Sequence, residues 1–401
     1  GSALTLLLAT SLEQLQPLGL LYFLYILNDM RKLKILNLLL LLFLLSTNSL
    51  PAQTNLSLKY YDAGSLMILG RGYDIPDSSV SKTDSLSYAV RFSRLPVERK
   101  SEFRKELWDI GRSSAGMAVR FSSNTTSMAA RWTLVYNASM GHMPSTGIKG
   151  MDLYTLEGEE WIYVGTARPS GKIENNSFFI KGMEPKQREY IAYFPLYDGV
   201  TNVEIGIDST AQISKPKNNI LVRQPEKRGS ILFYGTSITQ GGCASRPGMG
   251  YTAILGRMTG RETFNLGFSG NGRLDKSMAR TICDINASIV VLDCLPNCTD
   301  KIVRDSAYTF IKMILDKRPS TEIFMVENPE FPNLLLDKKA SAEIVKENGE
   351  WRALFERLRR EGFRNIRYVK GKGLIGEDSE ATVDGVHLTD LGFLRFSESL
   401  F

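Results

Sequence analysis

The 401-residue sequence holds only two histidines, His142 and His387, and only four cysteines, Cys243, Cys283, Cys294 and Cys298. So few cysteines exclude a small fold stapled by dense disulfides. No Cys-x-x-Cys pair or histidine cluster accompanies them, so neither a metal nor another cofactor is expected. Basic runs are missing too. The 49 Lys and Arg are interspersed with 43 Asp and Glu for a net charge of +6, and no recognition module is present, which argues against a nucleic-acid partner. Long apolar runs are scarce. Ile35 to Leu45 is interrupted by Asn37 and is short of the roughly 20 residues that span a bilayer. With 43% hydrophobic and 23% charged residues, the chain is not disordered, and its length suits two ordinary domains.

The N-terminal region reads as a leader. Met30-Arg31-Lys32-Leu33-Lys34 is basic, Ile35 to Leu45 is apolar, and Ser46 to Gln53 is small and polar, with cleavage expected just after Ala52. This is the pattern of a secretory signal peptide over 30–53, which predicts a secreted or periplasmic protein with no membrane span after cleavage. Residues 1–29 are set apart as a segment upstream of that start. The alternative is a membrane hairpin beginning with Leu18 to Leu27.

Residues 54–226 alternate short strand-like pieces with Asn, Gly, Ser and Pro turns: 117–121, 129–136, 150–154, 161–167, 177–180, 190–195 and 202–207. Regular short strands of this kind predict an all-β sandwich, jelly-roll-like, with little helix. From residue 227 to 401 the pattern changes. Strands at 230–235, 262–267, 287–293, 321–327 and 364–370 alternate with helices at 249–259, 274–285, 301–318, 337–361 and 390–401. Alternation predicts a parallel sheet covered on both faces, a three-layer α/β domain.

The second region is organised around Ser230 to Tyr251. An apolar strand, Ile231 to Tyr234, runs into Gly235-Thr236-Ser237, which places a small hydroxyl residue on the ligand side of an open α/β sheet. Three later blocks follow in order: Asn265 to Gly272, Val290 to Asn297, and Asp384-Gly385-Val386-His387. This order resembles the SGNH hydrolases, or GDSL esterase/lipase family, over roughly residues 229–401. The resemblance implies a flavodoxin-like fold, Ser237 as nucleophile, Gly270 and Asn297 in the oxyanion hole with the Ser237 N–H, and an Asp384–His387 pair. The first block reads Gly-Thr-Ser where Gly-Asp-Ser is usual, and the third reads Leu-Pro-Asn-Cys where Gly-x-Asn-Asp is usual. A serine esterase with a histidine base must use one of the two histidines; the Asp-x-x-His spacing selects His387, whose tautomer Asp384 would fix.

The strands ending before Cys243 and before Cys294 and Cys298 should be neighbours, so the geometry allows a disulfide from Cys243 to Cys294 or Cys298, the alternative being buried free thiols. Arg246, Tyr251 and Asn271 stand close enough to the blocks to be candidates for lining the substrate pocket. His142 lies in a methionine-bearing loop of the sandwich, 137–149, which is long for a connection. Methionine suits adaptable contact surfaces, so this loop is expected to pack beside Ser237 and narrow the acyl pocket. The resemblance implies a secreted esterase removing small acyl groups, acetyl foremost, from carbohydrate. The alternatives are a lipid acylhydrolase and a carbohydrate-binding protein with a degenerate hydrolase domain. The oligomeric state is left open.

Overall fold

The computed structural model describes residues 57–73, 91–216 and 229–401, with isolated helical positions 19, 22, 25 and 28–30 before them. Apart from Met30, the expected signal sequence lies outside the described residues, as does the expected boundary at 226/227. Contacts divide the chain into 1–56 and 57–401; the architecture below is that of the second unit. Among the described residues, no helix is long and apolar enough to cross a membrane.

The N-terminal part is antiparallel throughout. Its strands are β1 (Leu58–Asp62), β2 (Met67–Leu69), β3 (Ala118–Ser123), β4 (Met128–Leu134), β5 (Met151–Glu157), β6 (Glu160–Ala167), β7 (Glu174–Ile180), β8 (Arg188–Tyr193), β9 (Val200–Asp208) and β10 (Ile213–Ser214). One sheet has the order β1-β9-β4-β7; the other runs β10-β3-β8-β5-β6, with β2 also on β3. Residues two apart on a strand share a face. Val203, Ile205 and Ile207 of β9 therefore meet Ala130 and Trp132 of β4, with Val119 and Phe121 of β3 in the same core. Burying each such side chain contributes roughly 1.5–3 kcal/mol. Trp132 also donates its indole N–H to the Lys149 carbonyl at 3.0 Å, so Trp132→Ala would cost about 3–5 kcal/mol and strand that carbonyl.

The second part is a five-stranded parallel sheet: β11 (Ser230–Gly235), β12 (Thr263–Gly267), β13 (Ala287–Asp293), β14 (Glu322–Val326) and β15 (Ile366–Val369), in the order β12-β11-β13-β14-β15. Alternate residues of β11 face opposite layers. Ile231 and Phe233 pack under helices Tyr251–Thr259 and Asp390–Leu400. Leu232 and Tyr234 pack under Lys276–Asp284, Tyr308–Lys317 and Lys338–Arg360. The chain order turns back at β11, which has β12 on one side and β13 on the other. In such sheets the crevice beyond the carboxyl ends at that reversal is the ligand position.

Two findings depart from the sequence reading. The helix expected over 301–318 is interrupted by a π-helical turn, Val303–Ala307. The N-terminal part also contains a helix, Lys105–Gly111, which does not serve the sandwich core. Its Leu107 and Trp108, with Leu95 and Phe103, pack into the α/β core beside Leu266, Phe268 and Met278. The two parts are thus joined by shared packing.

Candidate active site

Ser237 opens a four-residue helix, Ser237–Gln240, directly after β11. Thr236 caps it, its hydroxyl accepting from the Ile238 N–H at 3.2 Å while the Thr239 hydroxyl accepts from the Thr236 N–H at 3.3 Å. Gly241, at φ 105°, ends it in the left-handed region where glycine alone is unstrained. The Ser237 carbonyl accepts from the Gly242 N–H at 2.7 Å and from the Tyr197 hydroxyl at 3.3 Å. Sequence and sandwich together therefore hold the serine on a tight turn.

Asp384 and His387 sit on a loop closed by the Val383 N–H on the His387 carbonyl (2.8 Å) and the Thr389 N–H on the Ala381 carbonyl (2.9 Å). The loop ends where Thr389 caps helix Asp390–Leu400. His387 Nδ1 lies 2.7 Å from Asp384 Oδ2, and Nε2 lies 2.9 Å from Ser237 Oγ. A carboxylate can only accept, so the proton is on Nδ1 and the Nε2 lone pair faces the serine hydroxyl. Partial burial pushes the Asp384 carboxyl up, but hydrogen bonds from the His387 N–H, the His387 ring and the Val386 N–H outweigh it and pull it down to about 2. Asp384 is ionised whenever the ring needs orienting. A serine so placed can pass its proton to the imidazole as its oxygen attacks an acyl carbonyl.

Gly270 and Asn297 follow β12 and β13, at the same edge of the sheet. Gly270 has φ 68° and open space where a side chain would stand, so its surroundings let an oxygen approach. The Asn297 side-chain oxygen accepts from the Gly272 N–H at 3.3 Å, which leaves its amide NH₂ for an oxyanion. The Ser237 N–H, at the first helical position, is among the donors a helix leaves without an internal partner.

Three sequence-stretch candidates resolve differently. Tyr251 does not line a pocket. It is fully buried and its hydroxyl donates to Asp293 at 3.1 Å, because its place on helix Tyr251–Thr259 turns it into the core. Asn271 is committed at both ends of its amide, accepting from Arg104 at 2.8 Å and donating to the Ser269 carbonyl at 3.0 Å. Arg246 pairs with the buried Asp152 at 2.7 Å and lies over the Tyr163 ring at 3.9 Å, an inter-part latch that also lines a polar groove. Of the two readings of the cysteines, the structure has the free thiols: all four are buried and unbridged. Cys294 and Cys298 lie in the core on one face of the parallel sheet and Cys243 in the core on the other, so the sheet separates them.

The 137–149 loop does pack against the second part. The buried Asp198 carboxylate anchors its start, accepting from the Tyr136 and Ala138 N–H groups at 2.9 and 2.8 Å. Met143 is buried in the same core as Ile238 and Cys243, and the Thr146 hydroxyl donates to the Ser245 carbonyl at 2.6 Å. Gly147 is required there, since a Cβ would stand 2.1 Å from the Ala244 carbonyl oxygen. At the tip, the His142 ring lies 5.5 Å from that of His387. A histidine grouping beside a cysteine was not expected, because the two histidines lie 245 positions apart, one in each part.

Other positioning residues carry no sequence motif. Gln240 donates to the Leu196 carbonyl at 3.0 Å and Ser113 at 3.2 Å, and accepts from the Ser269 N–H at 3.0 Å. Arg94, fully buried, donates to the Asn265 and Gly267 carbonyls of β12 and to the Ser113 and Ile110 carbonyls of its own half; burial pulls its guanidinium down to about 9. Behind the nucleophile turn, burial pushes Asp293 up to about 7 although Thr239 and Tyr251 donate to it. The one available signal was the Thr236-x-x-Thr239 spacing of a capping box.

Residues 227–401 match the family described as GDSL-like lipase/acylhydrolase, and residues 76–213 match the N-terminus of Esterase_SGNH_hydro-type. A solved structure from Bacteroides ovatus, described as a GDSL-like lipase, is 30% identical with a TM-score of 0.78, covering 86% of this chain and 96% of that one. The salicylyl-acyltransferase SsfX3 of a tetracycline biosynthetic pathway is 17% identical with a TM-score of 0.66, covering 86% and 95%. A family two carbohydrate esterase from Cellvibrio japonicus is 12% identical with a TM-score of 0.52, covering 86% and 96%. No curated protein matches the sequence. The resemblance carried by the four ordered blocks, the matching domain and a relative aligned over nearly its whole length agree: the chain belongs to the GDSL-like lipase/acylhydrolase family, as a hydrolase of the SGNH esterase type.

Proposed function

We propose that this protein is an exported serine esterase that removes small acyl groups, acetyl foremost, from carbohydrate. The observation that carries the reaction is the continuous chain Ser237 Oγ, His387 Nε2, His387 Nδ1, Asp384 Oδ2, each link 2.9 Å or less. Ser237 attacks the ester carbonyl while His387 takes its proton. The Ser237 and Gly270 N–H groups and the Asn297 amide hold the oxyanion. His387 returns the proton to the leaving hydroxyl, and water then releases the acyl group by the same route. Asp384 keeps the imidazole oriented throughout.

Two features support the finer reading. The His142 ring lies 5.5 Å from that of His387, which suits a short acyl group better than a long one. A polar groove of about 570 Å³, lined by Tyr163, Arg168, Ser177, Ser245 and Arg246 among others, lies where the sandwich meets the chain just after Cys243. There the Tyr163 ring is 43% exposed with the Arg246 guanidinium 3.9 Å over it, a mixed aromatic and polar lining that suits a sugar. The neighbour described as a carbohydrate esterase agrees with this reading; the neighbour described as a lipase favours a longer acyl chain.

The test is an acyl-length series on aryl esters, followed by acetate release from a panel of acetylated polysaccharides. Activity falling steeply beyond acetyl or propionyl, with acetate released from at least one glycan, supports the proposal. Activity that climbs with chain length replaces it with lipid acyl hydrolysis, and no turnover of any small ester leaves a binding protein.

A further inference from the structure

We infer that His142, Cys243 and His387 form a binding site for a borderline-soft divalent cation, zinc foremost, which silences the esterase reversibly when bound. The silencing rests on His387 being the base; the binding does not.

The donor atoms of the three side chains lie within 4.8 Å of one another. Zinc bonds nitrogen at about 2.0–2.1 Å and thiolate at about 2.3 Å, so donors around one tetrahedral ion stand roughly 3.5 Å apart. The gap to close is on the order of 1 Å. The movable partner is His142, exposed at the tip of the turn bridged by Met140 and Met143, next to Gly141, which has open space around it. The other two are held. Cys243 has φ 74°, a left-handed conformation uncommon outside glycine, fixed by a turn in which the Ala244 N–H donates to the Gly241 carbonyl at 3.1 Å. His387 is oriented by Asp384.

Two of the three donors are uncommitted. Among the described residues, the His142 ring and the Cys243 thiol have no hydrogen-bond partner, whereas the thiols of Cys283 and Cys298 each meet a backbone carbonyl. The third, His387, already has the surroundings of a metal ligand. A metal-bound histidine donates its other ring N–H to a carboxylate, carbonyl or water, and His387 Nδ1 is bound to Asp384. The nitrogen left for the cation is Nε2, the one that faces Ser237. Two imidazoles and a thiolate suit zinc or copper and disfavour magnesium and calcium. On binding, the Cys243 S–H bond breaks and its proton goes to solvent, one Sγ–metal bond and two N–metal bonds form, and the fourth position stays with water. No oxidant or reductant is involved. With Nε2 engaged, the serine proton has no acceptor.

The experiment uses the full chain and two readouts. Cobalt(II) alone is titrated into wild type, Ser237→Ala, Cys243→Ser and His142→Gln, following the thiolate-to-cobalt absorption. One equivalent with that band in wild type and Ser237→Ala, no band in Cys243→Ser, and at least tenfold weaker binding in His142→Gln are expected. In parallel, zinc is titrated into aryl-ester assays, with inhibition expressed relative to each variant's own metal-free rate. Wild type should be inhibited and recover with a chelator, while His142→Gln and Cys243→Ser should need at least tenfold more zinc. Cobalt bound without the thiolate band, or bound equally well by both variants, overturns the site. A full band without inhibition overturns the silencing and redraws the role of His387. Absence of activity in every sample leaves the cobalt result to decide the site alone.

Discussion

The two parts of the molecule treat their polar groups in opposite ways. The α/β part leaves the His387–Asp384 pair open, their side chains 24% and 36% exposed, with empty space beside Gly270, and only Ser237 of the triad is set deeper. The sandwich part contributes buried groups: Arg94 on the β12 carbonyls, Asp198 on the loop backbone, the Leu196 carbonyl on Gln240. The α/β part carries the atoms that react, and the sandwich adds to that part's own Thr236, Thr239 and Gln240 in fixing where they stand. Such a division requires the sandwich to be a structural component of the site, since a buried donor that loses its partner costs about 1–3 kcal/mol. Substitutions on the two sides should therefore separate rate from stability.

The largest separation is expected at the nucleophile. Ser237→Ala removes one hydroxyl at the start of a short helix and no packing, so the fold should persist while aryl-ester turnover falls on the order of 10³-fold or more. Turnover above a tenth of wild type would remove Ser237 from the mechanism. Next comes Asn297→Ala, which deletes the proposed oxyanion donor. A loss of roughly 10²–10³ in kcat with KM little changed is expected; a rise in KM alone would make Asn297 a ground-state contact.

Arg94→Met breaks the comparison from the other side. It takes the guanidinium donor away from the Asn265, Gly267 and Ser113 carbonyls, while the Ile110 carbonyl keeps the Ser113 N–H and hydroxyl, so unfolding should need less urea by the equivalent of about 3 kcal/mol or more, given that hydrogen bonds to charged groups are worth roughly 1.5–3 kcal/mol each. Per folded molecule, the rate should fall less than for either active-site variant. A variant with unchanged stability and a collapsed rate would make Arg94 part of the chemistry and dissolve the division.

The same division explains what the sequence made legible. Ser237, Gly270 and Asn297 follow strand ends marked by apolar runs, and Asp384 and His387 come last in chain order, just before a helix. Ser237, Gly270, Asn297 and the Asp384–His387 spacing could therefore be read, along with the antiparallel sandwich and the parallel sheet. The supporting residues were hidden because nothing local marks them. Arg94 lies 171 and 173 positions from the carbonyls it meets on β12, and Gln240 finds partners in both parts. Tyr251 misled because closeness to Ser237 along the chain suggests a pocket, whereas the helical rotation at that position faces the core. The allowed cysteine pairing is absent for a similar reason, since neighbouring strand ends can point their next residues to opposite faces of the sheet.

Two aspartates beside the nucleophile turn sharpen the contrast to a smaller scale. Asp384, half in water and holding three N–H donors, is pulled down to about 2, whereas burial pushes Asp293, with one carboxyl oxygen unpartnered, up to about 7. In the unfolded chain both sit near 3.9. Between about pH 4 and pH 7 the folded protein keeps a proton on Asp293 that the unfolded chain has lost, so stability falls as pH rises through that window, by at most about 1.4 kcal/mol per unit. Asp384 acts in the opposite sense. Its contribution is present above about pH 4 and is lost as pH falls towards about 2. Asp293→Asn cannot ionise, so urea unfolding measured from pH 4.5 to 8 should show a flatter stability profile than wild type, while Asp384→Asn should leave the wild-type slope in that range intact. Parallel profiles for wild type and Asp293→Asn would mean that Asp293 is ionised in the folded state throughout, and that the buried side of the nucleophile turn carries a charge.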